Sequence, residues 1–342
     1  MFNFEPKCMA TSLAPMPHRD AKEACRVILE KFPESPCIPR LSLSARMFME
    51  GMPCLLINSE KRRLNFDLSR TEELEIFYEK YQSDELEYFA ISPKYGPGFY
   101  SMIDMLRICP PKELKIIHIH MPGIVTWGLT LRDLQGKPAW YEPTMRDVLI
   151  KNLIMKAKWQ ERKIKENIPG IKTMVTLGEP TLSIVNSPFG SISGEEMIST
   201  LNEFFGSIES LSCVHCCSNM DWSQLMKANI YVINFDAFQY SEKIALYPNE
   251  INTFFKKGGI LAWGIVPVEE EALISNNEDS LQRKLEKAIE ELANEGIDKK
   301  LILERSFITP CCTTAMLSIK GAEKVYKITS NLSRLMREKY FL

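Results

Sequence analysis

Six short runs, at residues 115–120, 173–177, 212–214, 230–235, 259–263 and 306–308, stay largely apolar without alternating, and longer amphipathic stretches separate most of them. A strand with one wet face alternates polar and apolar residues. A strand apolar throughout is covered on both faces, which is the signature of parallel strands joined by helical crossovers. The stretches between the runs carry helix signals. Ser193 and Glu196 form a capping box ahead of the apolar face Met197, Ile198, Leu201, Phe204 and Phe205, and Asp20 with Glu23 opens another helix. Leu281, Leu285, Ile289 and Leu292 recur at helical spacing up to Gly296, and Val325, Ile328, Leu332 and Leu335 mark a last helix.

With 342 residues, 45% of them hydrophobic, the chain can bury a large core. No Gly/Ser-rich linker and no internal repeat divides it, which predicts a single domain over residues 1–342. Repeated βα units at this length fit an eight-stranded (βα)8 TIM barrel. An open doubly wound sheet is the alternative, but no G-x-G-x-x-G stands at a strand-to-helix turn. Residues 33–113, with Pro33, Pro36, Pro39, Pro53, Pro93 and Pro97, read as loop-rich insertions over the barrel mouth.

Charge and composition narrow the partners. The net charge of −2 supplies no basic field for nucleic acid or anionic lipid. No apolar run approaches the ~18 residues of a membrane span, and the N-terminus lacks a cationic signal region. Three of the ten cysteines cluster at Cys213, Cys216 and Cys217 and two are adjacent at Cys311 and Cys312, a poor layout for a disulfide framework. The expectation is a cytoplasmic protein with reduced thiols, binding neither nucleic acid nor membrane.

The chemistry-bearing residues gather where strands end. His215, Cys217, Glu179, Asp236 and Cys312 each lie at or just past the C-terminal end of a strand run, which in a barrel is the catalytic face. Imidazole, thiolates and a carboxylate are a zinc donor set, and three protein ligands with an open position make a catalytic site. The competing reading is a pair of small buried thiols and a core histidine. One of only four histidines standing inside the cysteine cluster favours the metal. Cys216 and Cys311 offer an alternative register. His118 and His120 face one way on their strand, as hydrogen-bonded barrel residues or a second metal site. Trp127, Trp222 and Trp263 are either an aromatic wall or core.

With those residues in view, the chain resembles the cobalamin-independent methionine synthase and uroporphyrinogen decarboxylase superfamily, closest to its short single-domain core methionine synthases. Ala14-Pro15-Met16-Pro17-His18-Arg19-Asp20 resembles the family's opening Gly-Ser-hydrophobic-Pro-His. Gly123-Ile124-Val125-Thr126-Trp127-Gly128 resembles Gly-Pro-Val-Thr-Trp-Gly, and Gly178-Glu179-Pro180 stands where the family has Asp-Glu-Pro. His215-Cys216-Cys217-Ser218-Asn219 resembles His-x-Cys-Gly-Asn, and Thr309-Pro310-Cys311-Cys312 resembles Thr-Pro-x-Cys-Gly. The resemblance implies a zinc-dependent methyltransferase with His215, Cys217 and Cys312 as metal ligands and Asp236 as the fourth, shorter than the family's usual Glu. Glu179 and His120 are the candidate catalytic residues: Glu179 binds substrate or organises the mouth, against the reading of a solvated loop carboxylate, and His120 reaches the site where relatives place Gln. The resemblance also implies a thiol substrate and a corrinoid methyl donor, as methylcobalamin or on a corrinoid protein.

Two departures bear on the acceptor. Pro15 replaces a Ser that helps hold the amino-acid part of homocysteine, and Gly178 replaces the acid that meets its ammonium. A thiol without an amino-acid head, such as a coenzyme M-like sulfonate, then competes with homocysteine. Methyl transfer of the methylcobamide:coenzyme M type, epoxide:thiol transfer, and a non-catalytic zinc- or corrinoid-binding barrel are the alternatives on the same site.

Overall fold

The computed structural model describes residues 4–41, 46–58, 63–186 and 192–342. In chain order the strands are β1 (Met9–Ala10), β2 (Leu55–Asn58), β3 (Arg63–Phe66), β4 (Ile116–Pro122), β5 (Arg132–Asp133), β6 (Lys172–Gly178), β7 (Leu211–Cys216), β8 (Val232–Phe235), β9 (Ile260–Val266) and β10 (Ser306–Pro310). Seven of them form one parallel sheet in the order β1-β10-β9-β8-β7-β6-β4. Residues 36–38 fill the space between its two ends. The His118 N–H donates to the Pro36 carbonyl at 2.9 Å and the Ile38 N–H to the His118 carbonyl at 2.8 Å. On the other side the Thr11 hydroxyl donates to the Ser35 carbonyl at 2.7 Å, and the Met16 N–H donates to the Arg40 carbonyl at 2.9 Å. The sheet therefore curls into a TIM-type barrel in which one strand position is reduced to a short bridged segment.

All six strand runs expected from sequence are strands, and the structure explains why several read as apolar without alternation. Outward residues such as Ile117, Val175, Val214, Ile233, Leu261 and Ile308 join the large core under the helices. Inward residues Met9, Ile116, Met174, Leu211, Val232, Ile260 and Phe307 form a second, smaller apolar cluster that plugs the N-terminal end of the barrel. Two residues further along, the interior turns polar, with Thr11, His118, Thr176, Asn234 and Thr309, all buried. Polarity inside the barrel thus rises toward the C-terminal face.

The helices follow their caps. Ser193 and Glu196 form the expected reciprocal box ahead of Gly194–Gly206, and Asp20 accepts from the Glu23 N–H at 2.7 Å to start Ala21–Lys31. Helix Glu278–Asn294 ends before Gly296, whose φ of +87° only glycine holds without strain. In the last helix Val325, Ile328 and Leu332 are buried as expected, and the stripe ends on Met336 in place of the half-buried Leu335.

The region 33–113 differs from the expectation of loops. It holds helices Thr71–Gln82 and Pro97–Ile108, a 3-10 turn Leu86–Phe89, and β2 and β3, which pair antiparallel and add β5 in a small separate sheet. Its prolines punctuate these elements: Pro97 occupies the first turn of Pro97–Ile108, where its missing N–H costs nothing. Residues 42–45 and 59–62 of this region lie outside the described residues. No helix among the described residues is long and apolar enough to cross a membrane, and all ten cysteines are free thiols.

Candidate metal centre

At the C-terminal face, β7 delivers His215 and, one residue past its end, Cys217; the turn after β10 delivers Cys312. One ligand atom from each of the three lies within 4.8 Å of the others. Tetrahedral zinc, with Zn–S near 2.3 Å and Zn–N near 2.0 Å, requires separations of that order. Cys216 points into the outer core, where its thiol meets the Ser218 carbonyl at 3.4 Å, and Cys311 is also buried, so the cysteines that meet His215 are Cys217 and Cys312.

The histidine is held in a metal-ready state by its own neighbours. Asn234 donates from Nδ2 to the Thr309 hydroxyl at 2.8 Å and to the Ala262 carbonyl at 3.2 Å. Its Oδ1 is thereby turned toward His215 Nδ1, which donates to it. The Asn234 contact is thus made at Nδ1, and Nε2 is buried without a hydrogen-bond partner. That is the outer-shell arrangement by which metal-ligating histidines are oriented. The hydrogen bond between the two thiols pushes Cys217 up and pulls Cys312 down. An orphaned imidazole nitrogen facing two hydrogen-bonded thiols fits a soft divalent metal.

The other expected site residues sit differently. Asp236 is buried at the end of β8, but it stands outside the three-ligand group. Its Oδ1 accepts from the Gln239 N–H at 2.9 Å and caps helix Ala237–Ile244. Burial raises its carboxyl to about 6, opposed by the backbone N–H of Gln239. Glu179 is fully buried, with both oxygens already occupied: Oε1 accepts from Val125 N–H at 2.9 Å, and Oε2 from Thr126 N–H at 2.8 Å and the Thr126 hydroxyl at 2.7 Å. Its carboxylate caps helix Ile124–Thr130 and its backbone N–H ties β6 to His215. Desolvation raises it to about 7 against those donors. Both oxygens thus hold the start of that helix, and Glu179 helps organise the mouth of the barrel.

His120 does face the site. It lines a cavity of about 510 Å³ together with His215, Cys217, Cys312, Gly178 and Pro15. Burial, and then the charge of Arg40, hold its imidazole well below the ordinary range, so it is neutral. Its Nδ1 has no partner. A Cβ on Gly178 would stand 2.8 Å from His120 Nε2, so the imidazole occupies the space that an acid at position 178 would need. Of the three tryptophans, Trp127 lines the cavity, whereas Trp222 and Trp263 are fully buried in the core outside the sheet. The sequence reading missed Asn234 and Arg40. Asn234 was legible as a polar residue in an apolar strand, two before Asp236 and so on the same face; Arg40 gave no signal beyond a cation with no acid nearby in sequence.

No protein-family model and no curated protein matches the chain. Among solved structures, a candidate vitamin-B12-independent methionine synthase from Listeria monocytogenes superposes with a TM-score of 0.60 at 12% identity, over 94% of this chain and 86% of its own. A B12-independent methionine synthase from Shewanella sp. W3-18-1, in complex with selenomethionine, gives 0.45 at 17% identity over 65% of this chain; the match spans 62% of that protein's length. A GH113 β-1,4-mannanase gives 0.43 at 14% identity, over 97% of each chain. At these identities the Listeria likeness shows a shared fold, and the other two add nothing to it.

Proposed function

We propose that the chain is a methyltransferase that moves a methyl group from a corrinoid, free or protein-bound, to a thiol, using zinc held by His215, Cys217 and Cys312. The observation that carries this reading is the meeting of those three ligand atoms at the wall of the cavity, with His215 Nε2 left free by the Asn234 hydrogen bond. The fold shared with the Listeria protein and the family-like motifs at the strand ends support it.

Zinc at this position would lower the pKa of an acceptor thiol and leave a nucleophilic sulfur at neutral pH. The protein's part is to hold that sulfur and the methyl carbon in line. The S–C bond forms as the corrinoid's bond to the methyl group breaks; the corrinoid keeps the electron pair, and the thiol proton passes to solvent. Asn234 and Thr309 hold the imidazole at fixed orientation, and Glu179 fixes the helix that carries Thr126 and Trp127 to the cavity wall. Asp236 is engaged as a helix cap, so a metal held by the other three residues would keep a position open for the acceptor. Glycoside hydrolysis needs two carboxyl groups astride the bond, and the described residues lining the cavity include neither Asp nor Glu.

The test is zinc content of purified protein followed by thiol consumption with methylcobalamin. About one equivalent of zinc and methylcobalamin-dependent thioether formation are expected. Zinc-loaded protein that methylates no member of a broad thiol panel, from methylcobalamin or a methylated corrinoid protein, would overturn the reading.

A further inference from the structure

Arg40 stands in the wall of the cavity described above, in the chain that follows the bridged segment 36–38. Its Nε and Nη1 are sealed from solvent and have no hydrogen-bond partner among the described residues. It forms no ion pair there; its nearest organised contact is the Phe48 ring, 5.8 Å from the guanidinium carbon. Of the described residues lining the cavity, Arg40 is the one with a fixed charge, and no acid is among them. The neutral His120 imidazole is beside it, with its own Nδ1 unpartnered.

Arg40 is half-buried, and a guanidinium with two of its three nitrogens removed from water and unpaired is costly to keep. Its planar fork of donors matches an oxyanion, and the cost is offset when one arrives. The opposite charge has no counterpart in the cavity. The position at which an acid could meet an ammonium is Gly178, and His120 fills the space that such a side chain would take. Pro15, which also lines the cavity, has no N–H to donate.

We infer that the acceptor thiol carries an anionic head, a carboxylate or sulfonate, bound by Arg40, and carries no ammonium group. This rests on the thiol-methylating reading of the site and adds the class of acceptor.

The experiment is calorimetric titration of zinc-loaded protein with 3-mercaptopropionate, 2-mercaptoethanesulfonate, 2-mercaptoethanol and cysteamine. The two anionic thiols are expected to bind at least tenfold more tightly than the neutral one, with cationic cysteamine weakest. In Arg40→Gln the ratio of anionic to neutral affinity should fall to near one while zinc content stays at the native value. Arg40→Lys, which keeps the charge and loses the fork, should give an intermediate ratio and serves if Arg40→Gln does not fold. Equal affinity for anionic and neutral thiols in the native protein, or an undiminished preference in the Arg40 variant, would overturn the inference. Propionate and ethanesulfonate, which lack sulfhydryl groups, separate the two readings. If they bind native protein and not Arg40→Gln, the head-group site stands even where thiol methylation fails. If thiols bind the metal with no head-group preference, the methyl-transfer reading stands and this inference falls.

Discussion

Three histidines line the inside of the same barrel, and they are treated in opposite ways. His118 has both nitrogens satisfied: the Thr11 hydroxyl gives its proton to the Ser35 carbonyl, so it accepts from Nδ1 at 3.2 Å, and Nε2 lies 2.7 Å from the Thr176 hydroxyl. His120, stacked 6.2 Å above it, and His215, edge-on to His120 at 6.2 Å, each keep one buried nitrogen with no partner. A buried polar atom without a partner costs roughly 1–3 kcal/mol. The lower layer closes the barrel, and the upper layer leaves that cost uncompensated where a ligand or metal can meet it.

The comparison breaks most severely at the thiols. Cys312→Ala or Cys217→Ala should remove most of the zinc, a larger loss of affinity than the ~10–100-fold typical of an outer-shell partner. Zinc per protein after chelator competition measures it. Full occupancy in both variants would place the metal elsewhere.

In the lower layer the same kind of truncation should cost stability instead of metal. His118→Ala leaves the Thr176 and Thr11 hydroxyls short of a partner and opens a cavity, about 3 kcal/mol by urea unfolding of metal-free protein. His120→Ala, which removes an atom already unpartnered, should cost clearly less. The pH dependence has a definite sign. Burial holds His118 to about 3 in the folded chain against an ordinary 6.5. Below 6.5 the unfolded chain takes up the proton first, so the stability that depends on a neutral His118 is complete above 6.5 and is lost as pH falls toward 3. The loss within that window is about 1.4 kcal/mol per pH unit for one such group. His118→Ala should flatten that part of the profile, and an unchanged slope would exclude His118 as its source.

Asn234 connects the two layers. Asn234→Ala frees the His215 ring to rotate and lets its proton move to Nε2, which should weaken zinc binding ~10–100-fold with both thiols intact. The same competition assay reads this, and native affinity would show that the asparagine does not set the tautomer.

What was legible in the sequence follows from what each residue does locally. Strand runs and helix caps are local, so all six runs and the Ser193 and Asp20 caps were readable before any tertiary contact. The His215, Cys217 and Cys312 set was readable because parallel strands place their ends on one face. The helix caps made by Glu179 and Asp236 were not legible, because a carboxylate at a strand end looks the same whether it faces a cavity or caps the next helix; only the direction of the side chain decides. Arg40 was invisible because its meaning lies in the absence of an acid around it in space. The helices in residues 33–113 were hidden by prolines that start and separate elements there.

The smallest effect concerns two glycines of the upper layer. At Gly264 a Cβ would stand 2.4 Å from the Phe235 carbonyl oxygen and 2.8 Å from Cys311 Cα, both backbone atoms that cannot turn aside. At Gly178 the obstacle is the end of one side chain, His120 Nε2. Gly178→Ala should therefore change stability by less than about 1 kcal/mol, since the lower entropy cost of alanine in a strand offsets a small rotation of His120. Gly264→Ala should cost several times as much. The rotation has its own readout, because His120 stands beside Arg40: Gly178→Ala should alter the affinity for 2-mercaptoethanesulfonate more than that for 2-mercaptoethanol. For the same reason Gly178→Asp, with Pro15→Ser beside it, should improve homocysteine binding only when His120 is also reduced to a small residue. Improvement without that third change would show that position 178 faces open space and that His120 does not occupy the place of the missing acid.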